Sequence, residues 1–248
     1  MNYKKFAQRV INQHLVENKD DFELFPTFKG FMLSAHGIPR MILESEDSTM
    51  ILDMDETLVH TPKLSPKTLQ AIQNNSEVLT YPKDLDKEEI KPYAESHVDE
   101  FKEALKSYKY KDYVDIRPHK VYGYSLIVHR PFLEDFLDEL ESLVGSKDLK
   151  DVIVYTANPE WWAKELVSSV NQAYGKNLKL YADQDLHPDS MIADDNENSA
   201  KIKLLKAKVI DKKDFGVTPS QWVRVNEFRG DFKDDELKTV IKAIQGKV

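Results

Sequence analysis

Two aspartates and a threonine, placed close together after an apolar run, are the residues of this sequence best suited to chemistry. Asp53 and Asp55 are separated by one residue, and Thr57 follows at the same spacing. The run from Met50 to Leu52 before them suits a buried parallel strand. Side chains two residues apart in an extended chain point the same way, so this strand would deliver both carboxylates to one place. That place is the carboxyl edge of the sheet, where open α/β sheets bind ligands.

The paired carboxylates suit phosphoryl transfer through a covalent intermediate. Asp53 would attack the phosphorus atom and become an aspartyl phosphate, while Asp55 would protonate the leaving oxygen and later deprotonate the attacking water. Because two carboxylates repel a phosphate, a divalent cation is required, and Mg²⁺ is the hard cation that takes carboxylate and phosphate oxygens. A bare Asp-X-Asp often only caps a turn. Here the apolar strand, Thr57 and the continuation from Leu58 to His60 favour the chemical interpretation.

The segment Asp53-Met-Asp-Glu-Thr-Leu-Val-His60 also carries a family resemblance. It resembles motif I of the haloacid dehalogenase (HAD) superfamily, in the Asp-X-Asp-X-Thr form typical of phosphatases. Within that superfamily it is most similar to the small carboxyl-terminal-domain phosphatases and the NLI-interacting-factor-like proteins. The resemblance implies a three-layer, Rossmann-like α/β fold with a central, mainly parallel sheet. It also implies Mg²⁺-dependent hydrolysis of a phosphorylated substrate, either a phosphoserine or phosphothreonine protein or a small phosphomonoester.

Composition indicates a soluble globular protein. The chain has 248 residues, of which 41% are hydrophobic and 31% charged, enough for a substantial core. We find no run near the ~20 apolar residues needed to cross a bilayer and no signal peptide at Met1, so we expect a cytoplasmic or otherwise intracellular protein without a membrane partner. The absence of cysteine excludes a cysteine nucleophile and thiolate metal sites. The net charge of -8 argues against nucleic acid as a partner.

The chain divides into an N-terminal arm and a catalytic domain. Residues 1–48 are predicted as a helix and an irregular, aromatic-rich arm that pack on the core. Residues 49–248 are predicted as the HAD-like domain. Within it, residues 61–112 contain several prolines and have apolar residues at helical spacing from Ser96 to Tyr110, which predicts a helical, cap-like insertion. Two roles stay open for this insertion: a cover for the sheet, or a cap that sets substrate selectivity.

A hairpin and a helix are predicted after the insertion. Segments Tyr113–Arg117 and Val121–Val128 flank Pro118-His-Lys120 and predict a β-hairpin. The next helix is rich in Phe and Leu, and Pro131 is predicted in its first turn. An Arg-Pro pair before such a helix is also typical of the phosphatases that motif I resembles.

A second buried strand is predicted over residues 151–157. Thr156 stands at its carboxyl end, where a hydroxyl and backbone N–H groups can hold a phosphoryl oxygen without adding charge. Thr156-Ala157 matches motif II of the superfamily. Trp161 and Trp162 are predicted to start the following helix, with at least one of them in the core.

Two further groups are needed, a lysine that neutralises the phosphoryl oxygens and an acid that completes the metal site. In one alternative, Asp194 and Asp195 lie on a strand over residues 191–196 and bind the metal. Lys176 or Lys179 would then be the lysine.

In the other alternative, Lys201 is the lysine and Asp211 ends a strand over residues 208–211. Residues 178–181 are predicted as a strand, and a parallel neighbour usually needs a crossover of a dozen or more residues. Between residue 181 and the strand over residues 208–211 there is room for such a crossover, whereas before residues 191–196 there is none. The alternative with Asp211 is therefore preferred. The resemblance fails at Lys212, since the family has an acid or amide there, and Asp214 or a water would have to complete the site.

We therefore predict a Mg²⁺-dependent phosphatase. Its predicted catalytic residues are Asp53, Asp55, Thr156 and Lys201, and its predicted metal ligands are Asp53, Asp55 and Asp211, with Asp194 and Asp195 as the alternative. A competing hypothesis is a pseudophosphatase, a binding module that keeps the fold without the activity. Lys212 supports that hypothesis, whereas the intact pair Asp53 and Asp55 argues against it.

Overall fold

The computed structural model describes residues 49–80, 87–146, 148–156, 158–182, 208–211 and 222–245. The predicted N-terminal helix and arm, up to residue 48, lie outside these residues. The elements follow in the order β1 (Thr49–Leu52), β2 (Val59–His60), α1 (Pro66–Gln73), α2 (Lys87–Lys106), β3 (Val114–His119), β4 (Gly123–His129), α3 (Leu133–Gly145), β5 (Asp151–Thr156), α4 (Glu160–Tyr174), β6 (Lys179–Ala182), β7 (Lys208–Asp211), β8 (Trp222–Arg224) and α5 (Glu236–Ile244).

A parallel sheet with β1 at its centre organises the domain. Its strand order is β6-β5-β1-β7-β8, and each neighbouring pair is parallel. The apolar run of β1 is completely buried, as expected for a strand with neighbours on both sides. These pairings confirm the predicted α/β fold with a central parallel sheet. They also bring the carboxyl ends of β5, β1 and β7 to the same edge.

A second, antiparallel sheet has the order β2-β4-β3, and it contains the predicted hairpin. The turn lies later than predicted, because β3 continues through Pro118 to His119, which pairs with Gly123. Pro118 is tolerated because β3 is an edge strand, where a missing N–H donor need not break a ladder.

The helices that flank the central sheet bury the apolar faces that their sequences predict. Helix α3 begins at Leu133 rather than at Pro131, because Phe132 takes a left-handed conformation with φ of 63° before the first helical residue. The prediction of Pro131 in the first turn was therefore wrong by two residues. Trp162 is buried, as predicted for one of the two tryptophans. The main core contains side chains from β1, β5 and these helices, including Leu52, Phe136, Val154, Leu166 and Val240.

The insertion is helical, and it packs against the antiparallel sheet. Helix α1 is capped by Ser65, whose Oγ accepts a hydrogen bond from the backbone N–H of Thr68 at 3.2 Å. Helix α2 begins at Lys87, earlier than the predicted helix over Ser96–Tyr110, and it includes Pro92. Its apolar face shares a cluster with strand β4 and the C-terminal segment, including Leu69, Phe101, Leu126 and Phe228. Among the described residues, no helix is long and apolar enough to cross a membrane.

The C-terminal segment forms backbone hydrogen bonds with the insertion. The backbone N–H of Leu79 donates to the carbonyl of Gly230 at 2.9 Å, and that of Phe232 donates to the carbonyl of Glu77 at 3.0 Å. Gly230 has a φ of +74°, and a Cβ at this position would lie 2.4 Å from the Leu79 carbonyl oxygen. Glycine is required here for both its conformation and its size.

Candidate active site

The loop between β1 and β2 holds Asp53 in a defined orientation. The backbone N–H groups of Leu58 and Val59 both donate to the carbonyl of Met54, at 2.9 and 3.0 Å, which folds the loop into a tight turn. This turn brings the Thr57 hydroxyl to Asp53, where Oγ1 donates to Oδ2 at 2.7 Å. Asp53 is only 3% exposed. A buried carboxylate held by a neighbouring hydroxyl is well placed to act as a directed nucleophile.

Asn158 joins Asp55 to Thr156. Thr156 ends β5, and its hydroxyl oxygen accepts from the backbone N–H of Asn158 at 3.2 Å and from Nδ2 of the same residue at 3.1 Å. The Asn158 Nδ2 also donates to Oδ2 of Asp55. The structure thus brings Asp53, Asp55 and Thr156 to one edge of the sheet. The sequence reasoning missed Asn158, although its position two residues after Thr156 was a usable signal.

The backbone of Asp211 lies at the same edge. Leu52 of β1 pairs with Ile210 of β7, so Asp211 stands one residue further along, level with Asp53. The strand required by the Asp211 alternative is therefore present as a parallel neighbour of β1. Asp194, Asp195 and Lys201 lie outside the described residues, as does the side chain of Asp211.

The two lysines of the other alternative lie away from this edge. Lys176 contacts the carboxylates of Asp138 and Glu141 on α3. Lys179 contacts Oδ2 of Asp151 at 2.5 Å. Because Asp151 begins β5 and Thr156 ends it, Lys179 contacts the amino-terminal end of the sheet, a strand length from the carboxylates.

Arg130 supports the loop that holds the nucleophile. Its guanidinium is completely buried and donates through Nε and Nη2 to the two carboxylate oxygens of Asp234, each at 2.8 Å. Nη1 donates to the carbonyl of Thr57 at 2.8 Å, and the Arg130 backbone N–H donates to the carbonyl of Leu58 at 2.9 Å. Arg130 therefore fixes two consecutive carbonyls of the turn whose Thr57 hydroxyl orients Asp53.

A lysine borders the site on the side of Asp55, and aromatic rings pack beside this lysine. Burial lowers the pKa of Lys63 to about 8, while the charges of Asp55 and Glu56 act in the opposite direction. The Lys63 Nζ lies 4.1 Å from the centroid of the Tyr122 ring. Tyr122 contacts His119, whose pKa is lowered to about 4 by burial and then by the charge of Lys63. The imidazole of His119 is therefore neutral at physiological pH.

The donor set fits a hard divalent cation. Asp53 and Asp55 supply carboxylate oxygens at the sheet edge, and oxygen ligands of this type suit Mg²⁺. Among the residues that the structure describes, no three histidine, cysteine or carboxylate side chains lie together as a metal site. The identity of the third acid stays a prediction, since the side chains of its candidates Asp211, Asp194 and Asp195 are outside the described set.

One of three comparisons with known proteins, the family model, agrees with the motif. A model of the NLI interacting factor-like phosphatase family matches residues 48–248. A search of curated proteins found no match. The solved structure of Fcp1, titled an essential RNA polymerase II CTD phosphatase, is 15% identical with a TM-score of 0.42, and the alignment covers 81% of this chain and 49% of that chain. The present chain thus spans about half the length of Fcp1. The family match over residues 48–248 confirms the predicted family.

Proposed function

The chain belongs to the NLI interacting factor-like phosphatase family, and from that premise we propose that it hydrolyses phosphate monoesters through an aspartyl phosphate on Asp53. The observation that carries this proposal is the common position of Asp53, Asp55 and Thr156 at one sheet edge. Asp53 is oriented by the Thr57 hydroxyl, and Asp55 is held by Asn158. Two carboxylates with different partners can take the two different roles that the reaction requires.

In the first step, a carboxylate oxygen of Asp53 attacks the phosphorus atom and the bond to the leaving oxygen breaks. Asp55 gives its proton to that oxygen, so the leaving group departs as an alcohol. The Thr156 hydroxyl, which accepts two hydrogen bonds from Asn158, keeps its own proton to donate to a phosphoryl oxygen.

In the second step, Asp55 removes a proton from water, and the water oxygen attacks the phosphorus atom. The bond between phosphorus and Asp53 breaks, which releases inorganic phosphate and restores both aspartates. Asp53, Asp55 and Asp211 would hold Mg²⁺, with Asp194 and Asp195 as the alternative acids. The bound cation would supply positive charge that offsets the repulsion between carboxylates and phosphate. Lys201 would neutralise the phosphoryl oxygens.

The substrate we propose is phosphoserine or phosphothreonine in a protein. The aromatic rings that begin at Lys63, including Tyr122 and His119, offer contact area for atoms beyond the phosphate itself. A small phosphomonoester would use less of this surface. The competing pseudophosphatase hypothesis rests on Lys212, and the following experiment distinguishes the two.

The test is steady-state hydrolysis of para-nitrophenyl phosphate with Mg²⁺ and after its removal by chelation. The wild type is compared with Asp53→Asn, Asp195→Asn and Asp211→Asn, and Asp151→Asn is the matched control at the opposite end of the sheet. We expect Mg²⁺-dependent turnover that Asp53→Asn abolishes and Asp151→Asn retains. Whichever of the other two variants loses activity identifies the metal strand. A folded wild type without turnover or Mg²⁺ binding would refute the proposal in favour of the pseudophosphatase.

A further inference from the structure

The leaving group of the substrate must lie on the side of Asp55. This follows from the proposed function, because the residue that protonates the leaving oxygen has to reach it. Lys63 borders this side, since the charges of both Asp55 and Glu56 act on its ammonium group. Its backbone forms an isolated bridge with Ser125 of β4, which fixes the lysine to the antiparallel sheet. Lys63 is only 7% exposed, so its position is set by packing.

Aromatic rings in contact with one another extend from Lys63 to the first turn of α4. The Lys63 ammonium lies on the face of Tyr122, and the ring of Tyr122 lies 4.7 Å from that of His119. His119 in turn contacts Trp161 edge-on, with centroids 4.9 Å apart. Trp161 belongs to the first turn of α4, shortly after Asn158, which contacts Asp55. Lys63, Tyr122, His119 and Trp161 therefore form a wall, here called the leaving-group wall, that begins beside Asp55 and extends to the start of α4.

A cavity of about 350 Å³ lies along this wall at the end formed by His119 and Trp161. Lys120 also lines it, with its Nζ 5.3 Å from the centroid of the Trp161 ring. Aromatic faces attract ammonium groups and hold them in place. The wall thus presents a lysine on an aromatic face at each end, Lys63 beside the carboxylates and Lys120 at the cavity.

The acids that line the cavity have basic neighbours. Glu95 lies 3.9 Å from the ammonium of Lys91, and Glu165 lies 3.8 Å from the guanidinium of Arg117. Lys120 makes no ion pair with any residue in the described part of the chain. The path from Lys63 to Lys120 therefore has an ammonium group at each end, with Asp55 and Glu56 near the first, in a chain whose net charge is -8.

We infer that the leaving-group wall selects acidic phosphopeptides, with the Lys63 ammonium contacting a carboxylate next to the phosphorylated residue. An extended peptide that leaves Asp55 in this direction passes Lys63 and Tyr122, and its next residues reach the cavity at Lys120 and Trp161. The aromatic faces would pack against the peptide backbone. This inference rests on the proposed phosphatase function, which supplies the phosphoresidue at Asp53.

The experiment compares two synthetic phosphoserine peptides that are identical except for the residues on both sides of the phosphoserine, which are Glu in one and Gln in the other. Binding is measured by calorimetry to the Asp53→Asn variant, which cannot form the aspartyl phosphate. This background is combined with Lys63→Met, with Lys63→Arg, and with Lys67→Met as a control for an exposed lysine on α1. Thermal melting confirms that each variant is folded.

We expect the Glu peptide to bind about tenfold more tightly than the Gln peptide, as a charge-assisted contact provides. Lys63→Met should remove most of this preference, whereas Lys63→Arg and Lys67→Met should keep it. Equal affinities for the two peptides, or a preference that survives in Lys63→Met, would overturn the inference. If Lys63→Met does not fold, Lys63→Gln replaces it.

Because binding requires no turnover, the inference and the proposed function can be refuted independently of each other. If the wild type hydrolyses the Gln peptide and shows no preference for the Glu peptide, the phosphatase function is supported and the role of Lys63 in selectivity is refuted. A Glu preference in binding without any hydrolysis by the wild type would keep the wall as a recognition surface and refute the catalytic proposal.

Discussion

Replacement of Arg130 by methionine should weaken both the stability of the domain and its chemistry. The guanidinium is fully buried, and its partner Asp234 is only 18% exposed. Methionine would fill much of the space but leave the Asp234 carboxylate without its cation. Removal of one partner from a buried ion pair costs about 3–5 kcal/mol of unfolding free energy. The Thr57 carbonyl would lose its donor as well, and the two losses are coupled, so we expect the same range for the variant as a whole.

The catalytic effect follows from the position of the turn. Arg130 holds the carbonyls of Thr57 and Leu58, and the Thr57 hydroxyl orients Asp53 at 2.7 Å. Misplacement of a nucleophile by about 1 Å can lower the rate by roughly a hundredfold. We therefore expect kcat to fall at least tenfold with a smaller change in KM, because the orientation of Asp53 matters in the transition state more than in binding.

The assay combines urea unfolding with steady-state kinetics at a temperature where the variant is folded. The stability and kcat of Arg130→Lys should lie between those of the wild type and Arg130→Met, because lysine keeps the charge but cannot form the bidentate contact with Asp234. The double variant Arg130→Met/Asp234→Leu should recover part of the lost stability, since it removes both charges. A decrease in unfolding free energy below about 1 kcal/mol in Arg130→Met, or a wild-type kcat in the folded variant, would refute the proposed role of Arg130 in holding the loop.

Three further predictions address other parts of the molecule. Gly230→Ala should lower the free energy of unfolding by about 1–3 kcal/mol, because the added Cβ meets the Leu79 carbonyl and φ is positive; Gly145→Ala, whose Cβ meets nothing within 4 Å, is the control in the same assay. Burial lowers the pKa of His129 to about 4, below the 6.5 of the unfolded chain, so the unfolded state alone takes up this proton between these values. Stability should fall by about 1.4 kcal/mol per pH unit from this group as pH decreases from 6.5 towards 4, and urea titrations at several pH values should show a shallower decline in His129→Gln. Asn158→Asp should reduce kcat more than Asn158→Ala does, because it places a second carboxylate against Asp55; equal rates in the two variants would mean that Asn158 does not control Asp55.

Local patterns predicted the parts of the structure that depend on neighbouring residues. The apolar run before Asp53 and the spacing of the two aspartates predicted both the strand β1 and the position of the carboxylates at its end. The length needed for a crossover helix predicted that a strand follows at residues 208–211, and β7 is a parallel neighbour of β1. These features follow from strand periodicity and chain geometry, which are properties of short segments.

Contacts between distant segments were not predictable in this way. Asp234 meets Arg130 across 104 positions of the chain, and neither residue has a local pattern that indicates its partner. Lys63 reaches Tyr122 only because β2 and β4 pair in the second sheet. The start of helix α3 also escaped prediction, since Phe132 adopts a left-handed conformation that its residue type disfavours and that tertiary packing must stabilise.

The loop from Asp53 to Leu58 connects the two sheets, and this arrangement bears on the role of the insertion. β1 belongs to the parallel sheet and β2 to the antiparallel one, so the catalytic turn is held from both sides. The insertion packs on β4 of the second sheet, and Gly230 binds its residue Leu79. A helical segment that shares a core and backbone hydrogen bonds with the domain would have to break them in order to swing open. The packing therefore favours a fixed surface behind the leaving-group wall over a lid that closes on the substrate.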